Sequence, residues 1–301
     1  MNELLDSFLD YLRLNKNYSS LTIQNYSRDI NYFIEFIERN NIELEKITSK
    51  VIREFSFYLK STRNLKSSSL RRVFSSIKSF SKFLYRNKIV SKNFGKYIVY
   101  PKLSEELPKF LDVDKMILLL KQLDSKINNC RNQKKKYTLI RDATIIFCFY
   151  LTGTRISELA QITLKDIDFH SNTITIKGKG NKKRIIPIHP LLNEKINDYL
   201  SIRDLIKTKN TNLLFVGKSK KGGISIRQIR NLVYKYTSMI GNRLNPHGIR
   251  HTFATHLLDD GNDIRIIQEI LGHSSIATTQ RYTHTSLKRI KNIYDKYHSH
   301  A

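Results

Sequence analysis

Apolar residues in the first hundred positions recur every three or four residues, the spacing that places them on one face of an α-helix. Three such sets are Leu5, Phe8, Leu9 and Leu12; Tyr26, Ile30, Phe33 and Ile37; and Leu70, Val73, Ile77, Phe80 and Leu84. The pattern predicts about four amphipathic helices. The last is expected to open at the serines at 67–69, whose hydroxyl groups can cap a helix.

The helical pattern stops between residues 93 and 111. This stretch holds Gly95, Pro101 and Pro108 without a sustained period, which is typical of an extended linker. A chain of 301 residues is long enough for two domains. We therefore predict an N-terminal helical domain at 1–100, a linker at 101–111 and a second domain at 112–301.

The second domain is predicted to be mostly helical with one β-hairpin. The apolar run at 143–151 predicts a buried helix, and Gly153 follows it as a terminator. Two strand-like segments, 173–177 and 184–188, flank a Gly-Lys-Gly-Asn turn that carries Lys179. Taken by itself, such a lysine is an ordinary surface charge.

A further helix is predicted to begin at Asn245 and Pro246 and to stop at Gly261. It places His247 and Arg250 on one face of its first turns, where unpaired N–H groups favour a phosphate. His247 and His251 also have a metal-ligand spacing, but a zinc protease needs glutamate directly after the first histidine, and this chain has Gly248. We predict no metal site.

The charge of the chain indicates the kind of binding partner. Lys and Arg total 53 against 26 Asp and Glu, a net charge of +27, and 40% of the residues are hydrophobic. A folded chain this basic favours a polyanion, most often nucleic acid. Residues 55–104 hold no acidic residue. The candidate DNA contacts there are Arg71, Arg72, Lys78 and Lys82; a solvated face, with lysine enriched by an AT-rich genome, is the alternative.

Cysteine content and hydropathy indicate the compartment. Cys130 and Cys148 form no CxxC pattern, so a disulfide framework and a cysteine-rich zinc module are excluded. The run at 143–151 is far below the roughly 18 residues of a membrane span. The first turn is acidic, unlike a signal peptide. We expect a cytoplasmic chain without membrane contact.

The groups that could carry chemistry include neither an acidic pair nor a phosphate-binding glycine loop. They are Arg155, Lys179, His247, Arg250, His273 and Tyr282. Two arginines, a lysine, two histidines and a tyrosine suit attack on a phosphodiester with no metal and no other cofactor.

The segments that hold these groups are TGTRISEL at 152–159, the lysine hairpin, HGIRHTFATHLL at 247–258 and LGHSSIATTQRYTH at 271–284. They resemble the four signature blocks of the tyrosine recombinase (phage integrase) family. Thr154 and Ile249 stand where leucine is commoner in that family. The tail after Tyr282 is most similar to that of the bacterial Xer recombinases, XerC and XerD.

The resemblance implies a mainly α-helical chain. Its N-terminal part would be a four-helix, SAM-like core-binding domain. Its C-terminal part would be a mostly helical catalytic domain with a small antiparallel β-sheet, and the two would close around DNA as a C-shaped clamp. Site roles are implied too: Arg155 and Arg250 as catalytic arginines, Lys179 as the hairpin lysine, His247 and His273 as active-site histidines, and Tyr282 as nucleophile.

The implied activity is site-specific recombination through a 3′-phosphotyrosine intermediate, resolving chromosome dimers at cell division. A helix at 286–297 would dock on a neighbouring protomer in a tetrameric synapse on double-stranded DNA, or fold back on its own domain. Whether a second recombinase supplies two protomers, and whether a DNA translocase activates them, stays open. So do the target sequence and the choice between XerC, XerD and a single-recombinase system.

Three other functions fit parts of the pattern. A mobile-element or phage integrase uses the same residues on different DNA. A DNA-binding protein without catalysis is disfavoured because all six groups are present, and an enzyme like a type IB topoisomerase is disfavoured by the tail.

Overall fold

The computed structural model describes residues 1–102, 109–178, 182–206, 209–261 and 263–272. The chain divides into two compact units, Met1–Glu106 and Leu107–Ala301, and each unit has its own hydrophobic core. In the described part of the chain, every helix is too short or too polar to cross a membrane.

The N-terminal unit contains the four predicted helices. They are α1 (Asn2–Leu14), α2 (Ser20–Arg39), α3 (Ser49–Ser61) and α4 (Ser67–Arg86). The apolar stripe of α4, from Leu70 to Leu84, is fully buried, as its period predicts. The predicted serine cap is wrong: Lys66 is the N-cap residue and makes no side-chain cap hydrogen bond, so the serines form the first turn.

The break in periodicity after residue 93 begins inside the N-terminal unit. A short 3₁₀ segment, Phe94–Tyr97, packs against α4, and Phe94 and Ile98 are buried in the N-terminal core. At the other end of the break, Leu111 is buried in the C-terminal core and its N–H donates to Thr252 Oγ1 at 3.0 Å. The last residue of the predicted linker is therefore packed in the second unit.

The C-terminal unit is mostly helical with one small sheet. Its elements are α5 (Val113–Asn128), α6 (Gln133–Thr152), α7 (Ile156–Leu159), β1 (Ile167–Asp168), β2 (Thr173–Lys177), β3 (Lys183–Pro187), α8 (Pro190–Ile206), α9 (Ile226–Met239), α10 (Pro246–Asp259) and α11 (Ile264–Leu271). The mainly α-helical fold class with a small antiparallel sheet is confirmed.

The sheet has the strand order β1-β2-β3, with both pairs antiparallel. In the hairpin, Ile174 lies opposite Ile186 and Lys177 opposite Lys183. β3 starts one residue earlier than its sequence pattern predicts. The turn residues 179–181 lie outside the described residues.

Helix α6 runs through the core of the C-terminal unit and packs against α5, α8 and α10. Residues 142–152 are all buried, and most of them are apolar, so this half of the helix lies within the core. The helix ends at Gly153 in the left-handed conformation, with φ 56°. A Cβ there would lie 2.4 Å from Phe253 and 2.8 Å from Leu271, so α10 and α11 can pack this close only against glycine.

Candidate active site

Arg155 lies directly beyond this glycine turn, as the sequence predicts, and is the N-cap residue of α7. Its backbone N–H donates to Glu158 Oε2 and its Nη1 to Glu158 Oε1, both at 2.8 Å. Its Nη2 donates to the carbonyl oxygen of Gly272 at 3.2 Å. The side chain is 41% exposed, so part of it is open to solvent.

Glu158 is the carboxylate around which this corner is built. Its side chain is 4% exposed and also accepts two hydrogen bonds from Arg184, from Nη1 at 3.1 Å and from Nη2 at 2.7 Å. Burial would raise the pKa of Glu158, but the hydrogen bonds from Arg184 and Arg155 hold it below its usual value. The group is therefore an anion at neutral pH.

Arg250 lies near the start of α10, whose cap is as predicted. The Asn245 side chain accepts from the Gly248 N–H at 2.9 Å, and Pro246 is the first helical residue. Arg250 is 5% exposed. It donates from Nη1 to the Gly153 oxygen at 2.7 Å and from Nη2 to the Leu271 oxygen at 2.6 Å.

Three arginines thus bind the C-terminal end of α11. Arg184 donates from Nε to Ile270 O at 2.8 Å, Arg250 binds Leu271 O, and Arg155 binds Gly272 O. The last carbonyl groups of a helix lack partners within it and form the negative end of its dipole, so cations suit this position. Gly272, in the left-handed conformation, ends the helix.

We call Arg155, Arg184, Arg250 and Glu158 the arginine network. It contains three guanidinium groups and one carboxylate, which is bonded to Arg155 and Arg184, so two positive charges are in excess. Burial and the neighbouring Arg155 cation lower the pKa of Arg250 to about 10, so this side chain is still charged at neutral pH. An anion bound between Arg155 and Arg250 would relieve that repulsion.

His247 lies at the exposed start of the same helix. Partial burial is the main cause that lowers the pKa of His247 below its ordinary 6.5. The nearby Arg250, His251 and Arg155 lower this pKa further. The imidazole is therefore neutral at neutral pH and can accept a proton. The ring of the neighbouring His251 packs edge-on against the ring of Phe110.

The structure therefore brings together three of the six predicted groups, Arg155, His247 and Arg250. Lys179, His273 and Tyr282 lie outside the described residues. Two members of the network, Glu158 and Arg184, were missed by sequence reasoning. A signal existed for Glu158, since a glutamate three residues after an N-cap position is the spacing of a capping box, which the structure contains.

Two of the four N-terminal candidates, both arginines, donate hydrogen bonds within their own unit. Arg72 pairs with Asp29 of α2, a carboxylate with no exposed surface that also accepts from Ser76 at 2.9 Å. Arg71 donates to the Pro101 oxygen at 3.3 Å. Both arginines are half-buried.

Lys78 and Lys82 are exposed, as predicted for a DNA-facing surface. The Lys78 Nζ lies 5.6 Å from the centre of the Tyr100 ring. Their role in binding DNA stays a prediction.

Comparisons with known proteins identify the family of the chain. The model of the phage integrase family matches residues 116–289, more than half of the chain. The model of the phage integrase N-terminal SAM-like domain matches residues 5–88. Tyrosine recombinase XerC of Thermodesulfovibrio yellowstonii is 36% identical over 98% of this chain and 95% of its own length. Tyrosine recombinase XerD of Staphylococcus epidermidis is 34% identical over 100% of both.

Solved structures share the fold. XerH recombinase bound to its difH substrate in a pre-cleavage complex has a TM-score of 0.69 and 23% identity, covering 98% of this chain and 84% of that one. The integrase of transposon Tn1549, in complex with circular intermediate DNA, has a TM-score of 0.69 and 20% identity, covering 95% of this chain and 97% of that one.

The family model and the relatives define an enzyme that cleaves and rejoins DNA. The chain belongs to the phage integrase family, the tyrosine recombinases, and its relatives support an activity in site-specific recombination.

Proposed function

We propose that this chain recombines double-stranded DNA at a specific site through a 3′-phosphotyrosine intermediate, with Tyr282 as nucleophile, and that it resolves chromosome dimers at cell division. The observation that carries the chemistry is the excess of two positive charges in the arginine network beside a neutral His247. Similarity to XerC and XerD over nearly the whole chain supports the biological role.

The arginines suit the transition state by charge and by geometry. When a phenolic oxygen attacks a phosphodiester, negative charge grows on the non-bridging oxygens, and preorganised donors stabilise it. A guanidinium has five N–H donors. Arg155 uses two side-chain groups and Arg250 two in the contacts described above, so both keep donors for phosphate oxygens.

Protons move through the other groups. His247 accepts the phenol proton of Tyr282 as the new O–P bond forms. The bond between phosphorus and the 5′ oxygen breaks, and Lys179 protonates that oxygen to give a 5′-hydroxyl. His273 donates a hydrogen bond to the same phosphate. The phosphotyrosine bond preserves the energy for joining to another strand, so this chemistry needs no metal and no other cofactor.

The assembly that fits this reaction is a tetrameric synapse on double-stranded DNA in the cytoplasm. A second recombinase supplying two protomers and a DNA translocase as activator belong to the same proposal, as does docking of the helix at 286–297 on a neighbouring protomer. The exposed Lys78 and Lys82 would contact the DNA backbone, whereas Arg71 and Arg72 would act mainly within the N-terminal unit.

Replacing the nucleophile tests the chemistry. Tyr282→Phe removes one oxygen and should leave DNA binding intact while abolishing the covalent adduct on a nicked suicide substrate. An adduct of undiminished yield would move the nucleophile elsewhere, with Tyr294 and Tyr297 as the next candidates.

The biological role has a separate test. DNA trapped covalently on the protein in cells should map to a single chromosomal locus near the replication terminus. Trapped DNA scattered over the ends of mobile elements would instead identify an integrase.

A further inference from the structure

The bidentate pair of Arg184 and Glu158 takes no part in the reaction proposed above. The Arg184 side chain is 11% exposed, against 41% for Arg155. It donates to both carboxylate oxygens and, through Nε, to Ile270 O. Because a planar guanidinium held on three sides has one orientation, this arginine is fixed more firmly than a single ion pair would fix it.

Arg184 joins three segments that are far apart in the chain. It lies on β3, its carboxylate partner lies on α7, and Ile270 lies in the last turn of α11. Glu158 is 26 residues from Arg184 and Ile270 is 86 residues away. The contact therefore ties the hairpin to both the Arg155 turn and the end of α11.

The Arg184 guanidinium also lies against two glycines. A Cβ on Gly272 would be 2.9 Å from Arg184 Nη1, and a Cβ on Gly178 would be 3.8 Å from the same atom. In the sequence, Gly178 directly precedes Lys179 and Gly272 directly precedes His273. Arg184 thus approaches the backbone next to two of the proposed active-site groups.

Arg184 also affects Arg155, because both arginines bind the Glu158 carboxylate. Glu158 Oε1 accepts from both Arg155 and Arg184. Without Arg184, both carboxylate oxygens would be available to Arg155, and a bidentate pair would take up N–H donors that the phosphate needs. Arg184 therefore keeps Arg155 partly unpaired.

We propose that Arg184 is a positioning residue of the recombinase: it orients Arg155 through Glu158 and supports the backbone that leads into Lys179 and His273. This inference rests on the proposed function. Arg184 is assigned no phosphate contact in this scheme, because Glu158 holds both of its terminal nitrogens and the Ile270 oxygen holds its Nε.

The test measures the rate of single-turnover cleavage on two nicked substrates, one with the ordinary 5′ oxygen and one with sulfur in its place, which departs without a proton. For Arg184→Gln we expect half-site affinity within about threefold of the unaltered protein. We expect cleavage per active molecule to be slower by ~10- to 100-fold, the scale of a misplaced catalytic group. Part of that loss should be recovered on the sulfur substrate, because the proton donor is among the displaced groups.

Two further variants make the result specific. Arg184→Lys keeps the charge but cannot form the bidentate pair, so its cleavage defect should be smaller, with the same partial recovery on the sulfur substrate. This variant also replaces Arg184→Gln in the test if Arg184→Gln does not fold. Arg203→Gln is the matched control, because Arg203 is another buried arginine that binds carbonyl oxygens, those of Leu213, Leu214 and Thr211. It should lower stability and leave the cleavage rates per active molecule unchanged.

Equal losses on the two substrates, or wild-type rates in both Arg184 variants, would overturn the positioning role. Failure of the proposed function looks different: the unaltered protein itself would form no 3′-phosphotyrosine adduct on the ordinary substrate.

Discussion

Both units bury a carboxylate next to arginine side chains, and the two sites use it differently. In the N-terminal unit, Asp29 of α2 is paired with Arg72 of α4, and Arg28 lies at 3.9 Å. In the C-terminal unit, Glu158 is shared by Arg155 and Arg184. The carboxylates are similarly inaccessible, so the arginines make the difference.

Around Asp29, the arginines are 37% and 52% exposed, so water screens any charge that the carboxylate does not neutralise. In the arginine network, Arg184 is 11% exposed and Arg250 is 5% exposed, and Arg250 has no carboxylate of its own among the contacts described. Excess charge held away from water attracts an anion. The first arrangement therefore fastens two helices, whereas the second suits the phosphate contact proposed above.

The largest effect is expected from Arg250→Lys. A lysine keeps the charge, but it cannot bind Gly153 O, Leu271 O and a phosphate oxygen in the planar geometry of a guanidinium. We expect cleavage of bound suicide substrate to slow by ~100- to 1000-fold, the cost of losing one preorganised donor. A near-normal rate would show that a positive charge at position 250 is sufficient. The planar geometry of the guanidinium would then not be what distinguishes this site from that of Asp29.

His247→Gln should cost ~100-fold or more in cleavage, the usual contribution of a general base. The pH profile sharpens this. Because the pKa of His247 is lowered, the folded protein binds this proton less readily than an ordinary histidine does. The acidic limb of the kcat/KM profile should therefore have its midpoint below 6.5, the ordinary pKa of histidine. An acidic limb centred above 6.5, or one that persists in His247→Gln, would assign the base to another group.

Arg72→Gln is the N-terminal counterpart and should affect stability rather than chemistry. It leaves Asp29, which has no exposed surface, with Ser76 and with Arg28 at 3.9 Å. Loss of a charged hydrogen-bond partner predicts a decrease of ~1–3 kcal/mol in the free energy of unfolding of the N-terminal unit. Denaturant titration measures this decrease. If cleavage per active molecule also fell, the pair would have more than a structural role.

The same contrast explains what the sequence could predict. The stripe of α4 and the apolar run of α6 are local patterns, so the helices followed from them. Arg155 and Arg250 lie in recognisable motifs. Arg72 was placed on an exposed face because its partner is 43 residues away on another helix.

Long-range contacts also explain what was missed in the site. Arg184 acquires its role from Glu158 and from a carbonyl group of α11, and backbone oxygens carry no signature in the sequence. Such roles emerge only from tertiary packing.

The smallest effect is expected from replacing exposed lysines that do not belong to the arginine network. The double variant Lys78→Gln/Lys82→Gln should weaken half-site binding at low salt and reduce the slope of log affinity against log salt by about two, one unit for each phosphate that is no longer neutralised. Cleavage at saturating protein should not change, because neither side chain belongs to the arginine network. The matched control is Lys46→Gln/Lys50→Gln, whose lysines lie near Glu43 and Glu54 and already have local counter-charges. If both double variants changed the slope equally, the N-terminal unit would attract DNA by its net charge, and the surface of α4 would have no special role.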